Sequence, residues 1–407
     1  MTRHCSDLIG TSHGDTPDAV TRRQFFGLSA AGLAGMAASG KRRAQEKAAD
    51  HKPSPKPEAI KTNVDEIKKI PREKHSLPGR YPGKVIKIDT GTASSETGID
   101  PDKVREAVNN GLRALTGETD TAKAWLQFVS PEDRIGLKVN PIGGKLLSTR
   151  PEVVDVILEG LKSAGVPPAN IIIWDRRLFQ LHEAGFTGER FPEVRILGTE
   201  MKGPNDDFYD ENGQLWARDN IDRDYFKYTA DVEMAYNKDM LPYMINEGKD
   251  SFFTRIATRE CTKIINIPVL KNAGPSVTLC LKNLSYGSLS NTSRLHRIWN
   301  QSVAEPVAVP CLRDKVVLNI VDGLKACYDK GPGANAQFIW DANQIMVGTD
   351  PVAVDTVGYE YMIKERMRRG IQQLEDKARR EFLYIAQDLK LGIADRDKIL
   401  LEELKLG

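Results

Sequence analysis

The chain reads as an α/β protein: a mainly parallel sheet covered by helices, with an acidic insertion. Three observations predict this. Short apolar runs alternate with helical patterns, as expected of strands joined by crossover helices. The later apolar runs are continuous rather than alternating, which suits strands covered on both faces. Helix starts are punctuated by Asp100-Pro101 and Asp350-Pro351, each an N-cap carboxylate followed by proline at the first helical position.

In order, the apolar run Lys84 to Asp89 precedes the helical pattern Pro101 to Leu115, Arg134 to Asn140 precedes Pro151 to Ala164, and Asn170 to Asp175 precedes Gln180 to Ala184. The continuous runs Ile264 to Leu270, Val316 to Val321 and Ile345 to Val347 follow. Pro268 cannot donate to a ladder, so its strand lies at an edge or ends there. A helical stretch, Ile371 to Leu389, and a short segment, Leu391 to Leu406, close the chain. Residues 202–250 stand apart, with twelve acidic against six basic residues and tyrosines at 209, 225, 228, 236 and 243. They read as an insertion, either a lid, a partner surface or, the commoner outcome, a solvated excursion.

Residues 1–40 read as a twin-arginine signal peptide. Arg22 and Arg23 stand directly before a mildly apolar stretch, Phe25 to Ala38, too brief and glycine-rich for a permanent span. Small residues around Ala37 to Gly40 offer a cleavage region, although the polar leader before Arg22 is longer than the pattern requires. The twin-arginine translocase is then a partner during export, and the mature protein is periplasmic or otherwise exported. Residues 41–81, rich in Lys, Glu, Ala and Pro, read as a flexible linker, and 82–407 as a single α/β domain.

With 407 residues, 40% hydrophobic and 28% charged, the chain has the composition of an ordinary globular protein. A net charge of +2 without a basic stripe sets nucleic acid aside as a partner. No apolar run reaches the roughly 18 residues of a membrane span, so none is expected after signal removal. Of the five cysteines, Cys5 lies in the signal, which leaves Cys261, Cys280, Cys311 and Cys327. Their gaps match neither zinc nor ferredoxin spacing, and buried small hydrophobes or one disulfide is the plainer reading.

The apolar runs end in Lys138-Val139-Asn140, Asp175-Arg176, Lys271-Asn272, Asp322-Gly323 and Thr349-Asp350. In an open parallel sheet ligands bind outside the carboxyl ends of the strands, so these side chains are expected to converge on one edge. Convergent lysines suit an anionic group, and Asp175, Asp322, Asp350 and Asp355 suit a divalent metal. Taken singly each has a plainer role, Asp350 as a helix cap and Asp322-Gly323 as a turn. Gly143 and Gly144 lie in a loop able to cradle an anion, although Val139 and Leu146 break the P-loop pattern. Gly331 and Gly333 lack the spacing of a dinucleotide fingerprint and make a weaker cofactor loop. His296, on a basic helical segment, is a base, a ligand or a packed histidine. No nucleophile elbow and no zincin motif is present.

The segments Lys138-Val139-Asn140-Pro141, Ile265 to Lys271, Leu281-Lys282-Asn283-Leu284-Ser285-Tyr286-Gly287, Val321-Asp322-Gly323, Gly331-Pro332-Gly333 and Gly348 to Asp355 resemble, in order, the bacterial and archaeal domain of unknown function 362 family. That family has no agreed activity. Some of its members carry an appended ferredoxin-type cluster domain, whose cysteine run this chain lacks. The resemblance points to the same strand-end residues. Three functions follow as expectations. The leading one is a cofactor- or metal-dependent enzyme acting on a small anionic ligand, with Lys138, Asn140, Asp175, Lys271, Lys282, Asn283 and Asp322 as its working residues. The others are a non-catalytic periplasmic binding module and an iron-sulfur redox protein using the four mature cysteines.

Overall fold

The computed structural model describes residues 60–233, 248–274, 276–371 and 379–407, which fall within one compact unit, Glu58–Gly407. Residues 1–40 of the expected signal peptide, 41–59 of the expected linker, 234–247 of the expected insertion and 372–378 of the late helical stretch lie outside the described residues. The helices are α1 Val64–Lys69, α2 Pro101–Thr116, α3 Thr121–Leu126, α4 Pro151–Ser163, α5 Leu178–Glu183, α6 Cys280–Ser288, α7 Trp299–Ala304, α8 Pro310–Arg313, α9 Pro351–Arg368 and α10 Glu381–Asp388. The strands are β1 Lys84–Asp89, β2 Ser94–Ser95, β3 Gly98–Ile99, β4 Ile135–Lys138, β5 Ile171–Arg177, β6 Arg195–Glu200, β7 Tyr228–Thr229, β8 Asp250–Ser251, β9 Lys263–Asn266, β10 Val269–Ala273, β11 Ser276–Thr278, β12 Val316–Cys327, β13 Ile339–Gly348 and β14 Leu400–Lys405.

A ten-stranded sheet runs in the order β14-β1-β13-β12-β9-β4-β5-β6, with β10 and β11 continuing it beside β12. The five strands β12, β9, β4, β5 and β6 are mutually parallel, which is the mainly parallel sheet that the sequence predicts. Side chains alternate across it. In β5, Ile171 and Ile173 join the core under α2 and α4, while Ile172 and Trp174 join the core under α6 and α9. Both faces are covered, hence the unbroken apolar runs. Asp100 and Asp350 cap α2 and α9 as their Asp-Pro pairs predict.

From β4 the chain builds outward through β5 to β6, whereas β9 and β12 build on the opposite side of β4. The order therefore reverses between β4 and β9. Such a reversal opens a crevice at the carboxyl ends of the two strands.

Several expectations are corrected. The linker does not reach residue 81: Ile60, Val64 and Ile67 follow a helical period and pack on the core, and Leu77 is fully buried. The run Ile264 to Leu270 is two strands, because Pro268 breaks the ladder and lets its carbonyl accept from Asp322 N–H at 2.8 Å. Since β9 lies inside the sheet, Pro268 marks an end rather than an edge. β12 continues past Val321 to Cys327 because it pairs first with β9 and then with β10. The described part of the insertion is not merely solvated: Tyr228, Ala230 and Val232 enter the core. Buried Arg294 holds it there, donating to Ala230 O (3.1 Å), Val232 O (3.2 Å), Lys249 O (2.6 Å) and Ser251 Oγ (2.9 Å).

Candidate functional site

Lys138 ends β4 in register with Asn266 of β9 and Trp174 of β5, at the lip of the order reversal. Its side chain has no exposure, so each ammonium proton needs an acceptor. The acceptors are the Asp175 carboxylate, Asn283 Oδ1 at 3.1 Å and Val139 O at 2.8 Å. α6 approaches closely enough for this only because residue 287 is glycine, since a Cβ there would lie 2.3 Å from Lys138 Cε.

A chain of buried amides continues from Lys138 across the sheet. Asn283 donates to Asn266 Oδ1 (2.8 Å), Asn266 to Asn319 Oδ1 (2.9 Å) and Cys280 O (3.2 Å), and Asn319 to Gly348 O (3.3 Å) and Thr349 O (3.2 Å). Fully satisfied buried networks of this kind rigidify their surroundings. Asn266 and Asn319 are functional-site neighbours that the sequence reading leaves unassigned. Their signal was an amide inside an otherwise apolar run.

The remaining two lysines differ from Lys138. Lys271, also without exposure, donates to Asn140 Oδ1 at 3.0 Å and to Ile142 O, and has no carboxylate partner among the described residues. The loop that brings Ile142 over it turns through Gly143 (φ 109°) and Gly144 (φ 56°). Thr149 anchors that loop, accepting from Asn140 N–H (2.8 Å) and donating to Ile267 O (2.7 Å). Burial pulls the Lys271 ammonium down to about 7; Lys282 adds to this, and Cys327, Asp322 and Asp175 oppose it.

Lys282 on α6 is 9% exposed and lies over the faces of Tyr286 (4.9 Å) and Trp299 (5.2 Å), with neither a hydrogen-bond acceptor nor a carboxylate among the described residues. Burial pulls it down to about 8. The His296 ring packs 4.9 Å from that of Tyr286 while keeping an exposed edge. Desolvation against its neighbours, and then the Lys282 charge, lower its imidazole to about 4.

The carboxylates do not gather into the expected metal site. Asp322 accepts from Arg150 N–H (2.7 Å) and Leu324 N–H (3.1 Å), and burial raises it to about 6. Asp350 lies at the opposite edge, because β13 runs antiparallel to β12. There it accepts four backbone N–H groups, from Val352 and Ala353 (2.9 Å) and from Gly83 and Ile393 (3.0 Å). Asp355 caps the start of α6, accepting from Cys280 N–H (2.7 Å) and Leu281 N–H (3.0 Å). Asp175 is committed to Lys138. Among the described residues no three His, Cys, Asp or Glu side chains gather closely enough to hold a metal ion.

Cys261, Cys280, Cys311 and Cys327 are likewise free and buried, and among the described residues they join no group able to hold a metal, which corrects the cluster reading that joined them. Gly331 serves close packing, since a Cβ there would meet Asn272 O at 2.0 Å, and Gly333 faces open space. Of the expected glycine loops, only Gly143 and Gly144 therefore belong to the lysine cluster.

Fold and site together define an open-sheet α/β protein with a buried lysine, amide and carboxylate cluster at the reversal of strand order. The chain belongs to the domain of unknown function (DUF362) family, whose model matches residues 135–360. That span holds every residue of the cluster. No curated protein matches the chain. Among solved structures it is similar to a Thermotoga maritima protein determined as a structural-genomics target, at 9% identity and a TM-score of 0.34. The likeness covers 66% of this chain and 59% of that one. Among the described residues no helix is long and apolar enough to cross a membrane.

Proposed function

We propose that this protein is an enzyme whose order-reversal cluster binds a small anionic ligand. The observation that carries the reading is a pair of buried lysines, Lys271 and Lys282, neither of which is paired with a carboxylate among the described residues. A buried cation without a counter-charge is unfavourable, and an arriving anion relieves it. Lys138, tied to Asp175 and Asn283, holds α6 against the end of β4, and Asn140, two residues after Lys138, accepts from Lys271. Asp322 at about 6 and Lys271 at about 7 have proton affinities near the neutral range that general acid–base catalysis requires.

The test is thermal unfolding with inorganic phosphate, sulfate and small mono- and dicarboxylates. Saturable stabilisation by one of them, lost in Lys271→Met and Lys282→Met, is the expected result. If no anion stabilises the protein, or both variants respond like the parent, the reading fails. Stabilisation by an anion that is never converted would instead mark a non-catalytic binding module.

We also propose export of the folded chain through the twin-arginine route, on the strength of Arg22 and Arg23 before the apolar stretch. Replacing both with lysine in a reporter fusion should retain the reporter in the cytoplasm, and unchanged export would refute the proposal.

A further inference from the structure

We infer that Lys282 is a nucleophile that condenses with the carbonyl carbon of a 2-oxo acid, forming an imine in the order-reversal cluster. This rests on the reading that the cluster receives an anion. It adds the chemical class of that anion and a covalent step.

The three buried lysines are distinguished by what their nitrogens already hold. Among the described residues Lys138 has three acceptors and Lys271 has two, whereas Lys282 has none. Only Lys282 can present its nitrogen to a substrate without first breaking hydrogen bonds. Its walls are the faces of Tyr286 and Trp299, which stabilise a cation but accept no directed hydrogen bond. A second cation, Lys271, lies within electrostatic reach. Desolvation is one of the devices that keep a lysine amine unprotonated and reactive, and it is the one that acts on Lys282, whereas the repulsion between the two lysines falls on Lys271.

At neutral pH an amine with a pKa near 8 is unprotonated on the order of a hundred times more often than a surface lysine. The same neighbourhood selects the rest of the substrate. A carboxylate beside the carbonyl neutralises Lys271, and the buried amides of Asn140 and Asn283 border the lysines on either side.

The step balances without an oxidant or reductant. The Lys282 ammonium and the carbonyl give a protonated imine and water. A C–N bond forms, the carbonyl C–O bond breaks, and the oxygen leaves as water with two protons from the nitrogen. His296 stays neutral beside Tyr286 and adds no competing positive charge.

The experiment incubates the protein near pH 7.5 with glyoxylate, pyruvate or 2-oxoglutarate and cyanoborohydride, followed by intact mass and peptide mapping. One adduct is expected, on Lys282, enriched roughly tenfold or more over any exposed lysine such as Lys145. Lys282→Arg keeps a cation against the two rings but cannot form the imine, so it should lose the adduct. Label spread evenly over surface lysines, or retained by Lys282→Arg, overturns the inference. Parallel thermal unfolding uses the same acids and their hydroxy counterparts glycolate, lactate and 2-hydroxyglutarate, which lack the carbonyl. Stabilisation by both sets without trapping sinks the imine and leaves the anion site standing. Stabilisation by neither set, together with no trapping, removes both.

Discussion

A methyl group on Gly287 would lie 2.3 Å from Lys138 Cε and 2.5 Å from its Nζ, so Gly287→Ala forces Lys138, α6 or both to move. Overpacking of this kind costs about 1–3 kcal/mol, readable as a lower urea midpoint. An unchanged midpoint would show that the approach is looser than described. The Lys138–Asp175 pair has a sharper signature. Removing one partner strands the other charge in the interior, at about 3–5 kcal/mol, whereas removing both leaves an apolar pair of similar volume. Lys138→Met should therefore be more destabilising alone than together with Asp175→Leu. If the two losses simply add in a double-mutant cycle, the pair is not coupled as its geometry requires.

At the scale of elements, α6 carries Lys282 and Asn283 and depends on a residue that need not meet the ligand. Asp355 reaches from the first turns of α9 to the two leading N–H groups of α6. Asp355→Ala should cost about 1–3 kcal/mol and weaken anion binding, as measured by calorimetry on the folded variant. Unaltered affinity would mean that α6 is positioned by its packing alone. The elements around the site were legible because coverage on both faces makes β4, β5, β9 and β12 unbroken apolar text. β6 and β14 were not: half exposed, they alternate polar with apolar residues too irregularly to declare a strand. The direction of β13 has no local signature, which is why Asp350 was assigned to the wrong edge. Lys138, Asn140, Lys271, Lys282 and Asn283 could be found as polar residues at the ends of apolar runs or in motifs that resemble the family. Asn266 and Asn319 sit mid-strand between apolar neighbours, where an amide has meaning only once its partner amide on the adjacent strand is known.

Across the whole molecule these buried groups impose an unusual dependence of stability on pH. Burial holds Asp322 and Asp350 at about 6 and Asp355 at about 7, above roughly 3.9 for an unfolded aspartate. The native state then binds more protons than the unfolded chain, and stability falls as pH rises from roughly 4 to 7. Lys271 at about 7 and Lys282 at about 8 lie below roughly 10.4 for an unfolded lysine. Here the unfolded chain binds more protons, and stability climbs as pH rises from roughly 7 to 10. Asp222, held at about 2 by Arg259, acts below this window. The ligand-free protein should therefore have a shallow stability minimum near neutrality, visible in urea midpoints from pH 5 to 9. A plateau there would mean that relaxation or water entry restores ordinary titration. A bound anion reverses the alkaline limb, because it favours the charged lysines and draws protons into the site. Its affinity should hold steady below about pH 7 and weaken above 8, by at most about tenfold per pH unit for each lysine that must be protonated. Lys282→Arg, which cannot lose its charge in this range, should flatten that decline. An affinity independent of pH from 6 to 9 would place the anion away from both lysines.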